Sequence, residues 1–262
     1  MRRSRALRTI ALATVMFASA LSEAGLPAAP RPVTGPVLLQ PRSASTDRDV
    51  ALLPIVRPGA AVTPRNASSI NSALRREDAR VLNAAAECRA SLREQSGRGS
   101  QNAWRRSVSI GMAGPRFLAF DLTDNYFCGG AYPNDGQTSL VFDLTTGKPV
   151  NWLAFFPPGA RGRLNTAGDG ATLGLVAWPE LTRRAAEQAP PECREAFAEA
   201  DYSGFSITLD ARTAALVATP AEFPHVIQAC AEPIRLDTAE LRQLRFSPVL
   251  IGALLAARRL QR

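Results

Sequence analysis

Residues 104–122 read WRRSVSIGMAGPRFLAFDL, and their alternation decides the fold class. Trp104, Val108, Ile110 and Met112 alternate with Arg105, Ser107, Ser109 and Gly111, which predicts a strand with one buried and one wet face. Ala113-Gly114-Pro115 turns the chain, and Leu118, Phe120 and Leu122 form the apolar face of a second strand. Downstream, residues 140–144 and 149–152 flank Thr145-Thr146-Gly147-Lys148, the turn chemistry of a β-hairpin. Upstream, Ile70, Leu74, Val81, Ala85, Cys88 and Leu92 recur at helical steps. They predict one buried face of a long helix over residues 66–94, capped by Asn66 or Ser68 and ended by the glycines of residues 95–102. The expectation is an α+β fold, a mainly antiparallel sheet packed against a long N-terminal helix, in two small lobes.

The second half is less regular. Residues 161–170 read as a loop, and Pro179 starts a helix to about residue 188. Pro190-Pro191 breaks it before a short helix over residues 192–200. Residues 205–209 and 215–218 predict another hairpin, and 234–236 a further strand. Ser247-Pro248 opens a short C-terminal helix, apolar for only about half the ~20 residues a membrane span needs, hence packed core.

The N-terminus carries Arg2, Arg3, Arg5 and Arg8, then an apolar run, then Ala18-Ser19-Ala20. That order is a secretory signal peptide, residues 1–20, with Ala24 a second acceptable cleavage point. The expected location is the periplasm, with no stable membrane anchor after cleavage. Residues 21–64 form a proline-rich spacer with an edge strand over 50–56. Cleavage lowers the net charge from +8 to +4, and Lys148 is the only lysine. No basic block is interleaved with aromatics, so nucleic acid is not an expected partner.

Four cysteines in an exported chain point to disulfides. Of the three pairings, Cys88–Cys128 with Cys193–Cys230 is preferred, since each closes a loop of roughly forty residues, worth about 4 kcal/mol by chain entropy. Their spacing does not match a zinc ribbon, and His225 is the lone histidine, so no metal or other cofactor is expected. His225 reads as a structural or surface residue, and no serine lies in a GxSxG elbow. Residues 168–174 read GDGATLG, which is not a dinucleotide loop. Asp121, Asp124, Asp135 and Asp143 lie in or beside the predicted sheet, and a carboxylate hydrolase is the alternative reading they leave open. No set of residues identifies a catalytic site.

One stretch stands apart: Tyr126-Phe127-Cys128-Gly129-Gly130-Ala131-Tyr132-Pro133-Asn134. The glycine pair permits unusual backbone angles, and Pro133-Asn134 signals a turn. It reads either as a constrained connection pinned by Cys128 or as a binding loop. Its candidate ligand-binding residues are Tyr126, Gly129, Gly130, Tyr132 and Asn134.

Together with Thr138-Ser139-Leu140-Val141-Phe142-Asp143-Leu144-Thr145-Thr146-Gly147-Lys148, this stretch resembles the GGAHP…FDLxTGK signature of an extracytoplasmic domain. That domain occurs in RsiV-type lysozyme-sensing anti-sigma factors and as the accessory domain of PdaC-type peptidoglycan deacetylases. Residues 205–219, 225–231 and 234–241 are similar to its closing strands. The resemblance implies an organisation of residues 65–124 as a helix-and-strand lobe, 125–246 as the RsiV-like domain and 247–262 as the C-terminal helix. Tyr132 stands where the signature has histidine, and neither a sigma-binding segment nor a deacetylase domain is present. What the resemblance carries over is a fold and a binding role. The expectation is a non-catalytic periplasmic protein that binds an envelope component, either peptidoglycan or a lysozyme-like protein.

Overall fold

The computed structural model describes residues 37–42, 49–96, 103–130, 132–158, 160, 163–165, 175–198, 204–221, 223 and 225–261. The signal segment, the spacer up to residue 36 and most of the predicted loop over 161–170 lie outside the described residues. All the elements below fall in one unit, Pro32–Arg262.

The first long element is α1, Pro64–Ser96. Its periodic residues Ile70, Leu74, Val81, Ala85, Cys88 and Leu92 are all buried, as the steps of three and four predict. They face a four-stranded antiparallel sheet made of β3 (Trp104–Ala113), β4 (Phe117–Tyr126), β5 (Asn134–Asp143) and β6 (Lys148–Pro149). Leu118, Phe120, Leu122 and Phe142 pack with Ile70 and Leu74 in one cluster.

Two short strands, β1 (Leu38–Gln40) and β2 (Ile55–Arg57), pair antiparallel beside α1. The edge strand predicted over 50–56 is therefore shorter and later, and Val50 makes only an isolated bridge to Arg106. The Asn71 amide on α1 serves as a surrogate strand partner for Val56. Its Oδ1 accepts from the Val56 amide and its Nδ2 donates to the Val56 carbonyl, both at 2.8 Å.

Strand β3 departs from simple alternation. Ile110 pairs with Phe120 but Met112 pairs with Ala119, so a bulge falls at Gly111. Val108 and Ile110 pack toward α1, whereas Met112 joins the core on the opposite side. The prediction that all four apolar residues share one face fails at Met112 for this reason. Arg106 is also on the inner face and buried.

The second sheet is five-stranded, in the order β11 (Ile234–Leu236), β10 (Ala215–Pro220), β9 (Phe205–Asp210), β8 (Leu175–Ala177), β7 (Arg163–Asn165). The 163–165 segment, predicted as loop, is thus a strand. Phe205, Ile207 and Leu209 pack against Phe117, Ala119 and Met112 of the first sheet, and the same core takes in α2 (Pro179–Gln188), α3 (Pro191–Ala198), α4 (Thr238–Gln243) and α5 (Pro248–Leu260). Pro179 sits at the start of α2, and the Ser247 hydroxyl accepts from the Val249 amide at the start of α5. Among the described residues no helix is long and apolar enough to cross a membrane.

The β5–β6 turn is fixed by Asp143, whose carboxylate accepts from the Thr145 amide and hydroxyl and from Arg116. Burial opposes ionisation of Asp143, but those donors outweigh it and hold its pKa below the ordinary carboxylate value. At Gly147 φ is +68°, and an added Cβ would lie 2.7 Å from the Asn66 backbone of α1. Gly147→Ala is therefore expected to cost about 2–4 kcal/mol, combining left-handed strain with a backbone clash, measurable by urea unfolding. A loss below about 0.5 kcal/mol would contradict this account.

Candidate functional site

On β4 and β5 the side chains opposite the α1 face are Asp121, Thr123, Asn125, Asp135, Gln137 and Ser139, which the register pairs across the two strands. Near Phe117 and Ala119 this face is closed by the second sheet. Farther along it becomes polar, and the space between β4–β5 and β9–β10 opens into a cleft.

Its outer part has a volume of about 560 Å³ and is lined by Asn125, Tyr126, Asn134, Gln137, Thr219 and Gln228, among others. The inner part, about 230 Å³, shares Thr123, Gln137, Thr138 and Thr219 with the outer and ends at Asp121, Ser139, Ser206 and Thr208. Asp210 and Arg235 stand at its rim, joined by a 3.1 Å ion pair.

The predicted loop residues divide. Tyr126 and Asn134 form the last ladder pair of β4 and β5 and line the outer cleft. The Tyr126 ring stacks on Trp104, with centroids 4.4 Å apart and planes at 11°. The Trp104 indole donates to Asp124 at 2.8 Å, so the stack is tied to the buried charge cluster beneath. Gly129, Gly130 and Tyr132 lie in the connection beyond and do not line the cleft. Gly129 and Gly130 have φ near +100°, and Gly129 lies so close to Gln95 of α1 that a Cβ would collide with its side chain. This is the backbone freedom the glycine pair implied, spent on packing the loop against α1. Tyr132 is largely exposed.

Both preferred disulfides are formed, Cys88–Cys128 and Cys193–Cys230. The first ties α1 to the start of the Gly129-Gly130 connection, where the Ser91 hydroxyl also donates to the Cys128 carbonyl at 3.1 Å. The second ties α3 to the 3-10 turn His225–Cys230, which carries Gln228 into the cleft wall. The side chain of His225 lies outside the described residues.

The four acids of the hydrolase reading also divide. Asp143 holds the hairpin turn, and Asp124 accepts from Trp104 beside Arg106. Asp121 and Asp135 line the cleft. Burial raises the Asp121 pKa, and Asp210 adds to this. The Thr208 and Ser139 hydroxyls and Arg235 pull the other way without cancelling it. Asp210 itself is lowered: burial opposes its ionisation, but the Thr213 hydroxyl, the Thr213 and Arg212 amides and the Arg212 charge outweigh it. Sequence reading missed Asp210, Thr208 and Arg235, since they come from later strands that only the fold brings over β4. Among the described residues, no group of three or more histidine, cysteine or acidic residues is placed to hold a metal ion.

No protein-family model and no curated protein matches the chain. Among solved structures it is similar to the crystal structure of a member of the DUF3298 family from Bacteroides fragilis NCTC 9343. The TM-score is 0.46 at 12% identity, covering 84% of this chain and 96% of that one.

Proposed function

We propose that this protein is an exported, non-catalytic binding module whose inter-sheet cleft holds a glycan of the cell envelope, peptidoglycan in the first place. The observation that carries the reading is the chemistry of the cleft wall. Asn125, Asn134, Gln137 and Gln228 each bring both a donor and an acceptor, and Thr123, Thr138 and Thr219 add hydroxyls. Sites for apolar ligands are lined mostly by hydrophobic side chains, and sites for anions by cations. A wall of amides and hydroxyls with one carboxylate, Asp135, and with apolar surface from Tyr126, Leu175, Pro220 and Phe223, matches a ligand dense in hydroxyl and acetamido groups whose ring faces and methyls are apolar. The two disulfides fit an oxidising compartment, where such a polymer lies.

The test is co-sedimentation of the purified mature chain with sacculi. Retention is expected, and Gln137→Ala should weaken it about fivefold, since Gln137 is exposed and its loss removes about one ligand hydrogen bond. No retention of the wild-type chain removes the proposal. Capture of lysozyme without retention on sacculi would move the role to a protein partner. Release of soluble muropeptides that stops in Asp121→Asn would make the protein a hydrolase instead.

A further inference from the structure

Asp135 is the one group in the outer cleft wall that a neutral glycan leaves unexplained. It belongs to a row that the sheet register lays across three strands. Arg105 of β3 pairs with Asn125 of β4, and Asn125 pairs with Asp135 of β5. Residues paired in this way project to the same face of a sheet. That face is the one opposite α1, since the neighbouring Arg106 and Asp124 are buried on the α1 side while Arg105, Asn125 and Asp135 are all exposed. Asn125 and Asp135 line the outer cleft, and Arg105 stands one strand farther out, at its lip. Among the described residues, none of these three side chains has a hydrogen-bond or ion-pair partner. Arg235, at the inner rim, is by contrast already paired with Asp210. The mouth of the cleft therefore carries a cation, an amide and an anion in that order, with the charged ends two strand spacings, about 10 Å, apart. A direct Arg105–Asp135 pair at so exposed a position would gain little over water, so both charges stay available to a ligand.

We infer that this row is a subsite for the peptide branch of peptidoglycan, a short chain with a free carboxylate and a free ammonium. The assignment rests on the glycan reading of the cleft. In that polymer the sugar backbone is neutral, because the acid group of its lactyl-bearing sugar is consumed in the amide bond to the peptide. Charge resides in the branch, where both signs occur within one short peptide. The Arg105 guanidinium takes the carboxylate through paired N–H donors, and Asp135 takes the ammonium. Asn125 between them offers both donors and an acceptor, which matches the peptide bond lying between the two charges. Sugar rings occupy the amide and hydroxyl wall deeper in the cleft, and the branch leaves through its mouth. An uncharged glycan has no partner for either end of the row. The row thus separates peptide-bearing peptidoglycan from neutral polymers of amino sugars.

Isothermal titration of the mature chain with two soluble ligands tests the subsite. One is a muropeptide, a disaccharide whose peptide has a free carboxylate and a free diamino-acid amine; the other is the N-acetylglucosamine tetramer. Arg105→Gln and Asp135→Asn should each weaken the muropeptide about fivefold, the loss expected of one exposed charge-assisted contact, and leave the tetramer within about twofold. Acetylating the free amine of the muropeptide should cost the wild type a similar factor and cost Asp135→Asn nothing further. Because both side chains are exposed and unpartnered, the urea midpoints should not move. If wild type binds the muropeptide and both variants match it, the subsite is overturned and the cleft reading stands. Equal losses for the two ligands overturn it too, since they place the row against sugars. Absence of binding of either ligand by the wild-type chain overturns both readings.

Discussion

Replacing Arg106 by methionine is expected to destabilise the protein by about 3–5 kcal/mol, the largest loss from any single substitution considered. The Arg106 side chain is fully buried, and its Nη2 lies 2.5 Å from Glu77 on α1. Its Nε stands 3.6 Å from Asp124 on β4, whose carboxylate also takes the Trp104 indole proton. The same residue's backbone holds the N-terminal segment: its amide donates to the Asp49 carbonyl, and its carbonyl accepts from the Ala51 amide. Methionine keeps the backbone bonds and much of the volume but strips the charge that Glu77 and Asp124 face. Arg80 still reaches Glu77 at 2.8 Å from the helix surface, whereas Asp124 is left with the indole. An uncompensated buried carboxylate is the costly outcome, more so than loss of the pair itself. Adding Asp124→Asn to Arg106→Met should therefore recover part of the loss, and a double-mutant cycle by urea unfolding measures it. A single-variant loss under about 1 kcal/mol would show that the cluster adapts without cost.

The pH dependence follows the same cluster. Burial opposes ionisation of Glu77, but hydrogen bonds and charges from Arg80 and Arg106 outweigh it and hold its pKa below 4.5. A lowered folded pKa means stability present above the unfolded value and lost as pH falls through the folded one. Asp121 acts in reverse. Its raised pKa gives stability that is full below the ordinary 3.8 and lost as pH rises through the folded value. Glu77→Gln should flatten the acid limb of the stability profile, and Asp121→Asn should reduce the loss on the other side, to which the buried Asp78 and Asp124 also contribute through their raised pKa values.

Why the helix and hairpins were legible, and the cleft only in part, follows from the range of the causes. The face from Ile70 to Leu92 and the apolar faces of β4 and β9 are local periodicities, and one sequence carries them. Met112 was misplaced because one extra residue at Gly111 reverses every later side chain, and alternation alone does not reveal it. The glycine was the available signal, since an isolated glycine in a strand marks a bulge or a close approach. Here it marks both, with Leu209 of β9 against it. Arg106 falls on the apolar side of the alternation but was assigned to neither face, because a charge there is explained only by partners 18 and 29 residues away, Asp124 and Glu77. The α4 capping box, Asp237 with Glu240, was readable and went unread. Tyr126 and Asn134 were singled out because they bound the stretch that holds the glycine pair and the Pro133-Asn134 turn, and the register makes them the last ladder pair of β4 and β5. Thr208, Asp210 and Arg235 carry no local signal, and they reach Asp121 only through the crossing of β9 over the first sheet.

Removal of the Cys193–Cys230 bridge by a double alanine substitution is expected to cost about 4 kcal/mol and to take the cleft with it. The bridge spans 37 residues, so most of its stabilisation comes from restricting the unfolded chain. Its local effect is separate. The 3-10 turn His225–Cys230 has no strand partner, and α3 is held to it by this bridge and by the edge-on contact of Phe197 with Phe223 at 5.2 Å. Gln228, Phe223 and Ala231, which wall the outer cleft, all lie on or beside this turn. Cutting the bridge should therefore loosen one wall while β4 and β5 keep the other. Cutting Cys88–Cys128 spans 40 residues and should cost a similar amount, yet it frees the Gly129-Gly130 connection, which does not line the cleft. The two variants then separate in a way that global stability alone does not produce. Both lower the urea midpoint by a comparable amount, and only the Cys193–Cys230 variant loses retention on sacculi under conditions where each remains folded. Retention kept in both would mean that the wall formed by the turn has no part in binding, and equal loss in both would trace the effect to stability rather than to that wall. A stability change below about 1 kcal/mol would place the two cysteines outside the folding energetics altogether.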